Sequence, residues 1–313
     1  MTSRIAAVLF AIFGLISTCS ADEALDALAT KAAQDAIEQF KADKLKEDDF
    51  AITVIDLSDP TNPRTGSFRG DQPMFPASVV KLFYLVATHQ WLEEGKLQDS
   101  PELRRTMCDM IIDSSNDATA MIVDALSDAI NGPPLPDAEM KAWIDKRNAV
   151  NRYFASLGYT ICGANGINVN QKTYCEGPYG REKLFIGAKY ENRNRLTTSA
   201  TAKLMSSIVT GKGVSPERSK EMMNLLKRDP TTKPDSNDDQ NTGFSAGALP
   251  PGSKLWSKAG WTNTARHDSA YIESADGVRV VVVIFTTGHS RQRQIIPSVA
   301  HSILAGLKTT KPG

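Results

Sequence analysis

Residues 75–81 read Phe-Pro-Ala-Ser-Val-Val-Lys and place Ser78 three positions before Lys81. The apolar run that follows predicts a helix over 78–94, which Gly95 ends. Positions i and i+3 share one face of a helix, so the lysine amine can reach the serine hydroxyl. A serine is a poor nucleophile unless a neighbouring base takes its proton. The pair is compatible with a nucleophilic serine, but taken alone it favours the alternative, a capping serine followed by a surface lysine.

Two later segments carry polar residues where an apolar pattern is interrupted. Ser-Ser-Asn at 114–116 breaks the helical pattern that runs over 101–126. Lys-Ala-Gly-Trp at 258–261 lies on a predicted strand, where a glycine can mark the close approach of a ligand or another backbone. Taken singly, the first segment fits an ordinary turn and the second fits an edge strand with a solvated lysine.

The order of the predicted elements indicates the fold class. Helices are predicted over 22–46, 78–94, 101–126, 138–157, 198–209, 216–227 and 292–307, and strands over 50–57, 65–70, 254–260, 267–274 and 278–285. Strands thus lie near both ends of the chain, with helices between them, which predicts an α+β fold. We expect an antiparallel sheet flanked by helices, built from 22–75 and 212–313, with an inserted all-helical lobe over 76–211. Residues 158–195 are expected to be irregular, and 229–252 to form a polar loop.

The bulk composition excludes some classes of partner. Lys+Arg and Asp+Glu each number 36 among 313 residues, so the formal net charge is zero. This balance gives no electrostatic basis for binding nucleic acid. The four histidines are scattered along the chain and do not group with the cysteines, so no metal site is predicted. We expect a monomer that binds a small molecule and needs no cofactor.

The N-terminus has the pattern of a targeting segment. Arg4 is followed by an apolar stretch over 6–16 and by small residues over 17–21, which predicts a signal peptide over 1–21 cleaved before Asp22. The apolar stretch is too short to span a bilayer comfortably. Lipidation at Cys19 is the second alternative. Both predict an exported protein, periplasmic or secreted.

The remaining cysteines agree with export. Cys162 and Cys175 bracket one short stretch, and an exported protein can keep a disulfide there, so we expect the two to be bridged. Cys108 lies in an apolar helical pattern and is expected to be a small buried hydrophobic residue.

The three motifs together carry a resemblance. Ser-x-x-Lys at 78–81, Ser-x-Asn at 114–116 and Lys-x-Gly at 258–260, in this order and at these separations, resemble the class A serine β-lactamases and related penicillin-binding proteins. That family carries S-x-x-K, S-D-N and K-T-G. The resemblance covers most of the chain after residue 21 and implies a serine hydrolase with an α+β lobe and a helical lobe.

The resemblance implies a role for each matching catalytic residue. Ser78 would be the nucleophile that becomes acylated. Lys81 would be its base or proton relay, and Ser114 would pass a proton to the leaving nitrogen.

The resemblance also implies a set of substrate-binding groups. Asn116 would hold the substrate amide, and Lys258 would supply a fixed positive charge. The backbone N–H groups of Ser78 and of Trp261, the residue after Gly260, would form the oxyanion hole, whose donors act on charge that develops in the transition state.

This sequence departs from the family pattern at several positions. Ser115 stands where the second motif has an acidic residue, and we expect an effect on local packing. Ala259 replaces the hydroxyl residue of the third motif, and Thr262 is a possible substitute. Arg266 lies close to where some members keep an arginine for the substrate carboxylate, although a surface arginine fits the sequence equally well.

The family's deacylating glutamate lies in an E-x-x-L-N segment, and no such string occurs here. Glu182 is the nearest match by position and is the expected deacylation base. Glu176 and Glu191 are rivals, and each of the three could instead be a solvated loop carboxylate.

Three functions remain open from the sequence. A class A-like β-lactamase, which hydrolyses the amide bond of β-lactams through an acyl-serine intermediate, is favoured because the chain is short, exported and built as a single unit. The second is a D-alanyl-D-alanine carboxypeptidase-like peptidase or esterase, acylated by β-lactams but not efficiently turned over. The third is a non-catalytic penicillin-recognising binding protein. The expected substrate is a β-lactam or a cell-wall peptide.

Overall fold

A computed structural model describes residues 20–174, 177–231, 240–241 and 243–309. Within these ranges the strands are β1 (Ser20–Ala21), β2 (Phe50–Asp56), β3 (Arg64–Phe68), β4 (Lys227–Arg228), β5 (Lys254–Trp261), β6 (Ala265–Glu273) and β7 (Arg279–Thr287). The α-helices are α1 (Glu23–Gln39), α2 (Lys81–Glu93), α3 (Pro101–Ile111), α4 (Asn116–Ser127), α5 (Asp137–Arg147), α6 (Ala149–Ser156), α7 (Gly180–Ile186), α8 (Thr198–Val209), α9 (Pro216–Leu226) and α10 (Ile295–Thr309).

These strands form a single sheet in the order β1-β3-β2-β7-β6-β5-β4. Every pair is antiparallel except β1 with β3, which is parallel. At the centre β2 pairs with β7, from Phe50 opposite Thr286 to Asp56 opposite Val280, so the two ends of the chain meet in the sheet. The structure confirms the predicted α+β fold, with an antiparallel sheet built from both ends of the chain.

Helices cover both faces of the sheet. On one face α1 and α10 pack together over a core that includes Phe50, Val282 and Ile303. On the other face α8 packs against β2 and β7, and its Thr198 hydroxyl lies 2.8 Å from that of Thr53 on β2. Because both faces are covered, β2 and β7 read as continuous apolar runs rather than alternating ones.

The predicted division into lobes stays a prediction, and the structure adds one fact to it. Residues 76–211 were expected to form the helical lobe, and this range contains α2 to α8. Of these helices, α8 lies on the sheet. Its N-cap Thr197 accepts the Ala200 N–H, so the helix begins at the chain's return to the sheet.

Helix α2 is the central element of the larger core. Every residue from Lys81 to His89 is buried, and the helix is apolar on all sides apart from a few polar groups. Such a pattern is typical of a helix with neighbours all around it. The expected start at residue 78 is a short 3₁₀ helix, Ala77–Val80, that leads into α2.

Two regions differ from the expectation. The single helix predicted over 138–157 is two helices, α5 and α6, which meet at Asn148. The Asn148 side chain donates to the Ile144 carbonyl at 2.9 Å and so closes the last turn of α5. Residues 158–195, expected to be irregular, contain α7, whose seven residues are too few to show an apolar repeat.

Several predictions fall partly outside the described residues. Residues 1–19 of the predicted signal peptide lie outside them, while the backbone of Ser20–Ala21 pairs with Arg64–Thr65. Cys175 also lies outside, so the bridge to Cys162 stays a prediction; Cys162 itself is exposed. Cys108 is half-buried rather than fully buried. Within the described part of the chain, no helix has the length and apolarity that a membrane crossing requires.

His89, on α2, is an ionisable residue whose side chain is buried inside the protein. Its side chain is 1% exposed, and among the described residues neither ring nitrogen has a hydrogen-bond partner. The nearest carboxylate, that of Glu221, lies 3.5 Å from Nδ1. Burial lowers the pKa of His89 from 6.5 to about 4, and the Glu221 charge only partly opposes this effect.

The low pKa of His89 predicts a pH-dependent stability. Between pH 6.5 and about 4 the unfolded chain takes up a proton at this position and the folded chain does not, so the free energy of unfolding falls as the pH falls. His89 should contribute roughly 3 kcal/mol to this loss. In urea titrations at several pH values, the His89→Leu variant should lose less stability over this window than the wild type. A difference between the two proteins that does not change with pH would contradict the prediction.

Candidate active site

Ser78 and Lys81 meet at the start of α2. The Lys81 Nζ lies 2.9 Å from the Ser78 Oγ, and the lysine side chain is completely buried. The preceding residue, Ala77, has a φ of 47°, in the left-handed region, which turns the chain sharply just before the serine. The turn leaves Ser78 half-buried and facing a cleft, while the lysine stays inside the protein.

The Lys81 amine is surrounded by oxygen atoms. Besides Ser78 Oγ, it lies 2.6 Å from the Ser114 carbonyl, 3.2 Å from the Ser114 Oγ and 3.1 Å from the Asn116 Oδ1. The carbonyl and the amide oxygen can only accept, whereas the hydroxyls can also donate. Among the described residues, the amine thus lies beside two obligate acceptors and beside the hydroxyl whose proton a base would take.

The Ser-Ser-Asn segment owes its shape to a helix start. Ser115 is the N-cap of α4, and its Oγ accepts the Ala118 N–H at 3.1 Å. Ser114, with a φ of 56°, turns its carbonyl and hydroxyl toward Lys81. Ser115 therefore shapes the turn that presents Ser114, as expected for an effect on local packing.

Lys258 reaches the same group of residues from β5. Its Nζ lies 3.0 Å from the Ser114 Oγ, 2.6 Å from the Gln240 Oε1 and 2.9 Å from the Ala259 carbonyl. Gln240 in turn donates to the Ile112 carbonyl at 2.5 Å, beyond the end of α3. The Ser114 hydroxyl thus lies between two lysine amines, one from α2 and one from β5.

Gly260 fixes the distance between β5 and the nucleophile turn. A Cβ at this position would lie 2.8 Å from the Ser78 nitrogen and 2.9 Å from the Val79 nitrogen. Such contacts are too short for any side chain, so only glycine permits the strand to pass here. The neighbouring Trp261 is 39% exposed, lines the cleft and packs against Phe244 with ring centroids 5.8 Å apart. The predicted oxyanion role of the Ser78 and Trp261 N–H groups stays a prediction.

His267, on β6, ties the nucleophile turn to the sheet. Its Nδ1 accepts the Thr286 N–H at 3.0 Å, so the proton of the neutral ring is on Nε2, which donates to the Phe75 carbonyl at 2.8 Å. Burial lowers the pKa of His267 to about 4, which keeps the ring neutral at ordinary pH. Sequence reasoning did not single out His267, because a histidine within a strand carries no signal of this contact.

The cleft in front of Ser78 has a volume of about 300 Å³. Its described lining consists of Phe75, Ala77, Ser78, Asn116, Gln171, Lys172, Thr173, Tyr174, Gly177, Pro178, Ile186, Tyr190, Arg193, Asn194, Trp261 and Thr262. Among these described lining residues there are two further cationic side chains, Lys172 and Arg193, and no carboxylate.

Glu182, the expected deacylation base, does not reach this cleft. Its carboxylate is completely buried, lies 2.5 Å from the Arg147 guanidinium and accepts a hydrogen bond from the Tyr174 hydroxyl at 2.8 Å. Burial raises the pKa of Glu182, and the Arg147 charge opposes this rise. Glu182 thus lies behind Tyr174, which lines the cleft. Its carboxylate pairs with the Arg147 guanidinium instead of facing the cleft. The structure does not bring the carboxylate to Ser78, as the prediction required.

Of the two rival carboxylates, Glu191 is not among the described lining residues of the cleft. Glu191 is exposed, and its Oε2 accepts the Lys189 N–H at 3.0 Å. Glu176 lies outside the described residues, between Tyr174 and Gly177, both of which line the cleft. Its assignment stays a prediction.

The residues around the altered third motif are also placed. Thr262 lines the cleft, and its Oγ1 accepts the N–H groups of Thr264 and Ala265. Arg266 is buried, and its Nε donates to the Ser290 carbonyl at 2.9 Å. Arg266 is therefore neither a surface residue nor part of the described cleft lining.

The structure therefore brings together Ser78, Lys81, Ser114, Asn116, Lys258, Gly260 and Trp261, and leaves Glu182 apart. It adds Gln240, which sequence reasoning missed because the polar stretch over 229–252 has no pattern that separates one amide from another. It also adds Arg193, which stands among several arginines in a loop and had no distinguishing signal.

Several solved structures share this architecture. A β-lactamase from Sphaerobacter thermophilus DSM 20745 has a TM-score of 0.61 at 18% identity, over 90% of this chain and 99% of that one. PBP-A has a TM-score of 0.60 at 17% identity, over 90% and 97%. A β-lactamase from Chitinophaga pinensis DSM 2588 has a TM-score of 0.62 at 16% identity, over 88% and 99%. At these identities the likeness shows a common fold.

A comparison with curated proteins gives no match. The family model described as "Beta-lactamase enzyme family" matches residues 98–307, well over half of the chain, and this range includes Ser114, Asn116 and Lys258. Ser78 and Lys81 precede the matched range, and the structure joins them to it through the contacts of the Lys81 amine. The chain belongs to the β-lactamase enzyme family.

Proposed function

We propose that the chain is an exported serine hydrolase of the carboxypeptidase and esterase kind. β-Lactams acylate its Ser78, and the resulting acyl-enzyme is hydrolysed only slowly. The observation that carries the proposal is the chain of contacts from Ser78 through Lys81 and Ser114 to Lys258. It joins three elements that are far apart in sequence. A protein that only bound its ligand would have no need of a buried amine next to a hydroxyl.

The acylation step follows from these contacts. The neutral Lys81 amine takes the Ser78 proton as the hydroxyl oxygen attacks the substrate carbonyl carbon. The proton then passes from Lys81 to the Ser114 hydroxyl, which gives its own proton to the leaving nitrogen or oxygen. Lys258 stabilises the negative charge that develops near Ser114 during this transfer. The backbone N–H groups of Ser78 and of Trp261 on β5 stabilise the oxyanion.

Deacylation needs a water molecule in place of the leaving group. A peptide or ester leaving group diffuses away, so the Lys81 and Ser114 pair can activate water by the reverse route. A β-lactam keeps its leaving nitrogen covalently attached to the acyl group, which continues to occupy the space near Ser114. Rapid release would then require a separate carboxylate base, and the described cleft lining has none. Glu176 lies outside the described residues, so the proposed persistence of the β-lactam adduct assumes that Glu176 is not this base.

One relative provides a parallel for such an adduct. A PBP-A variant, Leu→Glu at its position 158, has been solved as an acyl-enzyme complex with penicillin G.

The alternative function, a β-lactamase, is favoured by one observation. Glu176 stands in the sequence between Tyr174 and Gly177, which both line the cleft, so it is the carboxylate to test as a deacylation base.

The first test concerns the nucleophile. Ser78→Ala should reduce covalent labelling by benzylpenicillin by a factor on the order of 10³ or more, because it removes the hydroxyl that lines the cleft 2.9 Å from the Lys81 amine. Intact-mass spectrometry measures the adduct. The matched control is Ser156→Ala, an exposed serine on α6, which should label like the wild type. Labelling of Ser78→Ala at the wild-type rate would contradict the assignment.

The second test concerns the lifetime of the adduct. A typical enzyme turnover is about 10 s⁻¹, and a positioned general base accounts for roughly 10²–10⁴-fold of the rate of a step. Without such a base the adduct should therefore last roughly 10 to 1000 s. Rapid-quench mass spectrometry with benzylpenicillin gives the lifetime. Glu176→Gln should leave it unchanged. If the wild-type adduct instead clears within a second and accumulates only in Glu176→Gln, the chain is a β-lactamase with Glu176 as its base.

The third test distinguishes a structural Glu182 from a catalytic one. Glu182→Gln leaves the Arg147 charge buried without its nearest partner, which should lower the free energy of unfolding by about 3–5 kcal/mol. The double variant with Arg147→Met should recover part of this loss in denaturant titrations. The ratio of acylation to deacylation rate in the folded fraction should stay at the wild-type value. A stable Glu182→Gln variant that accumulates the adduct would assign the base to Glu182 after all.

A further inference from the structure

The described cleft lining contains two cationic side chains that take no part in the proposed acylation step. Of these two, Lys172 is paired with Asp124 at 2.6 Å, and its side chain is only 8% exposed. Arg193 is exposed and has no acidic partner within ion-pair distance among the described residues. An exposed guanidinium in a cleft whose described lining has no carboxylate is suited to an anionic ligand.

Arg193 is held in place rather than free to move. Its guanidinium carbon lies 3.3 Å from the centre of the Phe75 ring and 5.7 Å from that of Tyr190. Its backbone N–H donates to the Tyr190 carbonyl at 3.1 Å, and its own carbonyl accepts the Asn168 Nδ2 at 3.2 Å. Stacking on an aromatic face leaves the edge of the guanidinium, with its N–H groups, available to a ligand.

A neighbouring cavity does not provide the missing partner. It has a volume of about 340 Å³, shares Phe75 and Arg193 with the cleft, and contains the carboxylate of Asp48. That carboxylate lies 3.0 Å from the Arg69 guanidinium and is thus already paired. Among the described residues, Arg193 therefore remains a cation without an acidic partner at the border of the two cavities.

The position of Arg193 indicates which part of a substrate it meets. Lys258 contacts Ser114, which serves the leaving group, so this lysine marks the leaving-group side of the scissile bond. Arg193 contacts neither residue and stacks instead on Phe75, three positions before the nucleophile. A substrate that acylates Ser78 therefore meets Lys258 and Arg193 through different parts of its structure.

We propose that Arg193 binds an anionic group on the acyl part of the substrate, so that the chain acts on acyl donors that carry a carboxylate there. The proposal rests on the proposed acylation of Ser78. A guanidinium can bind a carboxylate through two parallel hydrogen bonds, which fixes orientation as well as charge. Burial of the stacked guanidinium lowers the pKa of Arg193. An arginine guanidinium nevertheless stays protonated in proteins, so its charge is permanent.

Three penicillins with one scaffold test this inference. Benzylpenicillin has an uncharged side chain, carbenicillin adds a carboxylate to the carbon beside its phenyl ring, and ampicillin adds an ammonium group to the same carbon. The second-order rate of Ser78 acylation should be greatest for carbenicillin and least for ampicillin. Arg193→Gln should lower the carbenicillin rate by roughly tenfold or more, as expected for loss of a charge-assisted pair, and leave the benzylpenicillin rate within about twofold.

Two further variants serve as controls. Lys189→Gln removes the same charge from the same loop at an exposed position outside the described cleft lining, and it should keep the carbenicillin preference. Arg193→Lys should keep part of the preference, because it retains the charge without the planar donor pair. Equal wild-type rates for all three penicillins would overturn the role of Arg193 while leaving the proposed function intact. Failure of every penicillin to label Ser78 would instead remove the proposed function.

Discussion

The site depends on a lysine amine that the fold keeps away from water. Lys81 is completely buried, and oxygen atoms from Ser78, Ser114 and Asn116 are among the polar groups that surround its Nζ and replace water there. Each of these oxygens comes from a special backbone feature: a left-handed turn before Ser78, another at Ser114, and the first residue of α4. Stabilisation of this buried amine and assembly of the catalytic group are therefore the same structural requirement.

The buried charge of Arg147 stabilises the opposite wall of the cleft. Arg147 pairs with Glu182 and also lies 3.2 Å from Asp124, which in turn binds Lys172 at 2.6 Å. These four residues come from α4, α5, α7 and the loop before α7, so they hold the irregular stretch against the helices. Tyr174 connects them to the site, because its hydroxyl donates to Glu182 and its carbonyl accepts the Asn116 Nδ2. These ion pairs hold the wall together with apolar packing, in which Phe185 of α7 contacts Trp143 of α5.

The sequence predicted the parts of this arrangement that have a periodic or short-range signal. Helix α2, the paired central strands and the Ser78 and Lys81 contact follow from repeats and from i, i+3 spacing. The function of Glu182 could not be read in this way, because its nearest partner, Arg147, is 35 positions away and its burial depends on α7, which is too short to show a pattern. Gln240 and Arg193 were missed for the same reason, since their contacts depend on which distant loop the fold places beside them.

The pairing of β2 with β7 has a consequence for how the protein is made. β2 is among the first elements to leave the ribosome, whereas its partner ends at Thr287, near the C-terminus. Lys258 and Gly260 also come from this late segment, so an incomplete chain has the nucleophilic serine without its second lysine or its closing strand. Long-range pairing of this kind slows folding. We therefore expect that a nascent chain lacks the complete site until β5 to β7 have been synthesised.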